Sequence, residues 1–303
     1  MSEKIKNSFP QCLVTFTLIM ISVLVLLNAT GTDFTVPEVK ADAATSSASG
    51  QVGNATPTVS AVNVISDPIT LTENSTTSIT ITGTVTDING GSDISAATAT
   101  FYAISSGDSC SANDNNCYTN ITCTLGTVSG NDRNATCTTS GVYFHADPGS
   151  WGAKILASDA SASSSSATDT TPSTINTLYA LIVSGTISYD TLVPGQNMAN
   201  LTKEVTATTT GNAAIDVQIK GDNMTYGATG TIAIANQRYA TSSVLWASGN
   251  IASSTYQNFE VDLGKPTSHP STSTDIVYWG WAVPGGTPVG TYAGTDYFNP
   301  VSD

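Results

Sequence analysis

From residue 57 onward the chain is a succession of short runs that alternate small or apolar residues with Thr and Ser. Residues 58–64 (TVSAVNV), 77–85 (TSITITGTV), 95–104 (SAATATFYAI), 118–125 (YTNITCTL), 135–144 (ATCTTSGVYF) and 151–158 (WGAKILAS) follow this pattern. It resumes at 178–187, 203–210, 214–221, 231–239, 259–264, 275–283 and 290–298. Clusters of Gly, Asn, Asp, Ser and Pro break the runs about every 8–15 residues, and no segment keeps a helical apolar period. A two-residue period puts one face of each run on a core and leaves Thr on the wet face. The pattern therefore predicts an all-β protein of antiparallel sandwiches, Ig-like in layout. The last two runs flank PGGTPV (284–289), which predicts a C-terminal hairpin.

Texture also predicts the boundaries. Residues 44–56 (ATSSASGQVGNAT) are small and polar and read as a flexible tether. The segment 159–174 (DASASSSSATDTTPST) lacks bulky side chains and contains Pro172. The expected plan is a first sandwich over 57–160, a Ser/Thr-rich linker over 161–174, and a second sandwich over 175–303. At 303 residues, the chain is long enough for two such domains.

Lys4 and Lys6 precede an uncharged apolar run, 12–27, that is short for a membrane span. Small residues at Ala41 and Ala43 suit a signal peptidase, so residues 1–43 read as a signal peptide. An uncleaved N-terminal anchor is the alternative, and only that form would tie the protein to a membrane. The expected location is therefore extracellular or on the cell surface.

Cys12 lies in the apolar run, and in an exported chain the other four cysteines, Cys110, Cys117, Cys123 and Cys137, predict two disulfides. A four-cysteine zinc site would need closely paired CxxC spacing, which is absent. Three pairings are open. Cys123 and Cys137 are equidistant from residue 130 in a strand–turn–strand segment, which favours Cys123–Cys137 and leaves Cys110–Cys117. Seven N-x-S/T sequons begin at Asn28, Asn54, Asn74, Asn120, Asn134, Asn200 and Asn223, the pattern of a glycoprotein surface. Pro57 just beyond its acceptor weakens Asn54 as a site.

Charge narrows the partners. A net charge of -14 with scattered Lys and Arg argues against nucleic acid and against anionic lipid.

TVTDINGGSDISAATATFY, CSANDNNCY and DIVYWGWAVPGGTPVGTYAGTDYF resemble segments of an uncharacterised group of two-module secreted surface proteins from environmental bacterial and archaeal genomes. The first module is similar through TVTDINGGSDISAATATFY (84–102) and CSANDNNCY (110–118). The second is similar through TISYDTLVPG (186–195), TTTGNAAIDVQIKGDNMT (208–225) and DIVYWGWAVPGGTPVGTYAGTDYF (275–298). The resemblance implies an Ig-like surface protein and no particular activity.

Two stretches carry candidate chemistry. In DINGGSDI (87–94), Asp87, Asn89 and Asp93 offer side-chain oxygens around a Gly90–Gly91 turn, which suits calcium. It is not an EF-hand, because Gly91 stands where that loop needs an oxygen ligand and Thr98 where it needs a glutamate. Distant carboxylates such as Asp108, Asp114 or Asp147 would have to complete the shell. The competing reading is a plain Asx turn. Trp279 and Trp281 lie two apart on one strand, so their rings would share a face. That arrangement is either a platform for sugar rings or part of the core, and the flanking Val277 and Val283 favour core.

Catalysis has little to stand on. His145 and His269 fall in different expected domains, and no nucleophile elbow, zinc helix or phosphate loop occurs. His145 stands near Asp147 without a placed nucleophile. The sequence therefore points to a secreted structural or adhesive protein rather than an enzyme. The alternatives are a fibre subunit that donates a strand and a carbohydrate-binding module. Calcium is the one cofactor suggested. The expected partners are other surface proteins, glycans or further copies of the chain.

Overall fold

The computed structural model describes residues 45–228 and 230–303. The signal-peptide reading over 1–43 lies outside the described residues. The architecture is all-β, with antiparallel pairing between all the named strands.

Ten strands occupy the first part: β1 (Thr58–Val64), β2 (Thr76–Thr77), β3 (Thr80–Thr86), β4 (Ile94–Ala103), β5 (Cys117–Leu125), β6 (Asp132–Thr138), β7 (Val142–Tyr143), β8 (Gly149–Asp159), β9 (Ser164–Thr168) and β10 (Ser173–Ile175). All but β2 and β7 belong to one sheet. Its order is β1-β3-β6-β5-β4-β8-β10, with β9 also paired to β8. This sheet curls into a nearly closed barrel, so opposite walls of a single sheet face each other across the core. Gly83 of β3 shows how close the walls come, because a Cβ there would sit 2.8 Å from Ile155 Cδ1 of β8. The Ser165 hydroxyl of β9 also donates to the Pro57 carbonyl, just ahead of β1 (2.5 Å).

The alternation seen in the sequence is the alternation of burial. Ile81 and Val85 of β3, Ala135 and Cys137 of β6, and Ala153, Ile155 and Ala157 of β8 are all inward and fully buried. Small alanines leave room for one large pair, Phe101 stacked on Trp151 with centroids 4.7 Å apart. The Trp151 indole N–H is satisfied by the Asp147 carbonyl (2.8 Å).

The expected linker is not one. Within 161–174, β9 pairs with Lys154–Ser158 and β10 starts a ladder against Gly149–Trp151. Ile175 is buried in the first core. Short Ser and Thr side chains still fill a ladder, because the backbone makes the bonds and β8 offers a free edge.

Ten more strands follow: β11 (Leu181–Ser184), β12 (Lys203–Thr209), β13 (Ile215–Gly221), β14 (Met224–Tyr226), β15 (Gly230–Ile232), β16 (Gln237–Ala240), β17 (Asn250–Ile251), β18 (Gln257–Leu263), β19 (Thr274–Trp281) and β20 (Asp296–Ser302). A five-stranded sheet, β11-β12-β19-β16-β17, faces a three-stranded sheet, β18-β13-β20. Val205, Ala207, Val277, Trp279 and Tyr239 from the first meet Ile215, Val217, Ile219, Phe259, Val261 and Leu263 from the second.

The expected C-terminal hairpin does not form. β19 pairs with β12 and β16, whereas β20 pairs with β13 in the opposite sheet. The connection is too long for a tight turn, and Pro284 and Pro288 bring no N–H to a ladder. The chain crosses over the core instead, so Trp279 and Phe298 meet through it at 6.1 Å rather than side by side.

The two cores are joined by backbone. Residues 176–180 lie along 209–212, with Thr210 and Asn212 amides donating to the Ala180 and Leu178 carbonyls (2.9 and 3.0 Å). The approach is tight enough that a Cβ on Gly211 would come within 1.9 Å of the Leu178 carbonyl oxygen.

Candidate functional site

The DINGGSDI turn lies between β3 and β4 and packs against the turn after β8. One carboxylate oxygen each from Asp87, Asp93 and Asp159 lies within 4.8 Å of the other two. Asp87 is fully buried. Its Oδ1 accepts the Asn89 amide (2.8 Å), and its Oδ2 is enclosed without a hydrogen-bond partner. Asp159 is 2% exposed and caps its own turn, with Oδ1 accepting the amides of Ser161 and Ser163 (both 2.9 Å). Its Oδ2 accepts the Asn54 side-chain amide (2.8 Å). These bonds, led by that from Asn54, hold the Asp159 carboxyl below its ordinary pKa.

Two of the three expected residues thus meet, and Asn89 does something else. Its side chain accepts the Ala55 amide (2.7 Å) and donates to the Gly53 carbonyl (3.2 Å). Two of the expected distant carboxylates are engaged elsewhere. Asp108 pairs with Lys154 (3.1 Å), and Asp147 pairs with Lys265 (3.0 Å). Asp114 lends its carbonyl to the Tyr118 hydroxyl (2.5 Å). The third carboxylate is Asp159, the last residue of β8, brought opposite Ile94 by the β4–β8 pairing just before the segment read as a linker. Asp159 could have been suspected only if that segment had been read as a strand pair.

A second acidic group, Asp216, Glu260 and Asp262, lies on β13 and β18. Asp216 Oδ1 already accepts the amides of Val261 and Asp262 (3.2 and 3.1 Å). The Asp216 charge raises the Glu260 pKa.

The tryptophan platform is overturned. Trp279 is fully buried between the two sheets, 5.2 Å from the Tyr239 ring. Trp281, half-buried, stacks on Tyr189 at 5.3 Å and donates to the Asp190 carbonyl (3.2 Å). The second sheet lies across the face of β19 that carries Val277 and Trp279, which is why that ring is core.

A cavity of about 500 Å³ opens where the edge strands β11 and β20 face each other. Tyr189, Gln237, Tyr292, Phe298 and Asp296 line it. The Tyr189 hydroxyl donates to Gln237 Oε1 (2.7 Å). Asp296 Oδ1 is enclosed and unpartnered, and burial together with the nearby Asp222 raises this carboxyl to a pKa of about 7. The sequence offered no signal for Asp296, which becomes special only because burial strips its water.

His145 and His269, expected in separate domains, converge. Both rings pack on Tyr143 (5.4 and 5.5 Å). His145 is fully buried, with Nδ1 3.2 Å from Asn115 Oδ1. Burial and the Lys265 charge lower its pKa. Lys265 reaches Asn115 Oδ1 (2.9 Å) as well as Asp147, so Asp147 pairs with lysine and not with histidine.

The cysteines form Cys110–Cys117 and Cys123–Cys137, the second joining directly opposed residues of β5 and β6. The sequon asparagines at 54, 74, 120, 134, 200 and 223 are all exposed. Asn54 differs from the rest because its Nδ2, the atom a glycan would occupy, donates to both Asp159 and Ser163. Asn28 lies outside the described residues. The chain matches no protein-family model, and no curated protein is significantly similar to it.

Proposed function

We propose that this chain is an exported surface protein of two tandem Ig-like modules, with a structural or adhesive role rather than a catalytic one. The observation that carries the reading is the disulfide pair in the first core, because such bonds persist in oxidising compartments. Negative charge and exposed sequon asparagines agree with it. Asn54 and Asn89 fasten residues 53–55 to the barrel, which leaves less of the tether free to complete a neighbour and favours display over strand donation. The test is protease treatment of intact host cells combined with thiol labelling of the recovered protein. Loss of the protein from intact cells, with its paired thiols unlabelled, is expected. An intracellular protein with reactive thiols would sink the proposal.

A second reading, carbohydrate binding, is favoured by the cavity beside Asp296. Aromatic rings, a glutamine and a carboxyl around one cleft suit a hydroxyl-rich ligand. It replaces the tryptophan platform as the place to look.

A further inference from the structure

We infer that Asp87, Asp93 and Asp159 bind a calcium ion that fastens the entering chain, residues 53–55, to the first barrel.

Asp87 Oδ1 is occupied by the Asn89 amide, while Oδ2 is enclosed with no partner. One Asp87 oxygen belongs to the group with Asp93 and Asp159, and the two oxygens of a carboxyl sit side by side, so the orphan is in that group or directly beside it. An ionised oxygen without a hydrogen bond, in a spot closed to water, is strongly disfavoured. Two more acids within 4.8 Å make it worse. No lysine or arginine relieves the charge among the described residues. Arg133 comes near, but it donates to the carbonyls of Ile94, Leu125 and Gly126 (3.1, 3.3 and 3.0 Å). A divalent cation would satisfy the orphaned oxygen and offset most of the charge.

The donors identify the ion. All three are carboxylates, with no imidazole or thiolate, which selects a hard cation over zinc or copper. Ligands on opposite sides of calcium stand about 4.6–5.2 Å apart, against about 4.0–4.2 Å for magnesium. Oxygens that all lie within 4.8 Å of one another can reach a single ion of calcium's size, and calcium, unlike magnesium, tolerates such irregular oxygen sets. Protein supplies three ligands, so water would complete the shell. That implies modest affinity, with Kd on the order of 10⁻⁴–10⁻³ M, as for extracellular modules.

The site also explains the tether's contacts. Asn54 donates to Asp159 and Ser163, and Asn89 binds Gly53 and Ala55. Asn54 thus reaches from this segment to Asp159, while Asn89, whose amide is held by Asp87, holds its neighbours Gly53 and Ala55. An ion that fixes Asp87 and Asp159 fixes both grips at once.

The test is calorimetric titration of the purified chain with calcium chloride, together with thermal melts in calcium and in EDTA. Saturable 1:1 binding is expected, with Tm raised by about 3–10 °C in 10 mM calcium. Magnesium should bind at least tenfold more weakly. In Asp93→Asn, a change of the same shape at a half-buried position, the calcium shift should vanish while the EDTA melt stays at or above wild type. That EDTA melt shows whether the variant is folded. Protease cleavage within residues 45–57 should be slowed by calcium in wild type, and much less so in Asn54→Ala. Identical wild-type melts in calcium and EDTA would overturn the site. Equal affinity for magnesium would overturn the assignment to calcium. A calcium effect undiminished in folded Asp93→Asn would place the ion elsewhere.

Discussion

At the residue scale, Asp296 behaves least like its type. A carboxyl with a pKa of about 7 holds its proton more tightly folded than unfolded. The stability this contributes is fully present below about pH 4 and is lost as pH rises through about 7. Asp296→Asn keeps the shape without the charge. Urea melts should show the variant about 1–3 kcal/mol more stable than wild type at pH 8, after allowance for solvent screening, with little difference at pH 4. Parallel pH dependence in the two proteins would mean the carboxyl is well solvated. The same residue lines the cleft, so the substitution also asks whether the charge serves a ligand. Asp87 also carries a buried oxygen, Oδ2, with no hydrogen-bond partner among the described residues.

At the scale of elements, the Cys123–Cys137 bond ties β5 to β6 in the middle of the curled sheet. It closes a loop with a sequence separation of 14. Restricting the unfolded chain by a loop of that size contributes about 3 kcal/mol. Replacing both residues by alanine should lower the urea midpoint accordingly, and Cys110→Ala/Cys117→Ala should cost less because its loop is shorter, with a separation of 7. Equal losses would show that strain or local packing, rather than loop entropy, sets the effect. The run TIAIANQRY illustrates a different point about elements. Its alternation is continuous, yet the chain breaks at 234–236 into a 3-10 turn between β15 and β16. The Asn223 side chain accepts the Ile234 amide there (2.9 Å), so a distant residue ends the ladder.

At the scale of the molecule, the two cores are not beads on a string. Asn212 is fully buried, accepts the Leu178 amide (2.7 Å) and donates to the Asn176 carbonyl (3.0 Å). On the other side Lys265 and the Thr267 carbonyl meet Asn115, and the two histidines share Tyr143. Asn212→Ala strands two backbone groups and should cost about 2–3 kcal/mol. Scanning calorimetry of wild type should show one transition, and the variant should split towards two. A wild-type trace with two well-separated transitions would mean the halves unfold independently despite these bonds. Lowered His145 basicity adds a pH dependence to this junction. The folded form binds fewer protons than the unfolded one, so stability falls as pH drops through about 6.5.

Strand identity was legible in the sequence because it depends on neighbours one and two residues away. Residues 58–64 match β1 end to end, and most other alternating runs lie within a few residues of a strand. The opposition of Cys123 and Cys137 was legible for the same reason, since a hairpin is local. Partner choice was not. The Ser-rich stretch over 161–174 carries no alternation of bulky residues, and only the free edge of β8 makes it β9 and β10. β19 and β20 looked like a hairpin until the second sheet claimed β20. Asp87 and Asp93 lay in one readable turn, whereas Asp159, 66 residues beyond Asp93, joined them through the pairing of β8 with β4, in which it stands opposite Ile94. Trp279 could be read as core or platform from its own strand alone, and the sheet across from it decided the matter. Local periodicity determined which segments became strands. Desolvation and long-range backbone pairing, which depend on the whole chain at once, decided which polar atoms were left wanting a ligand.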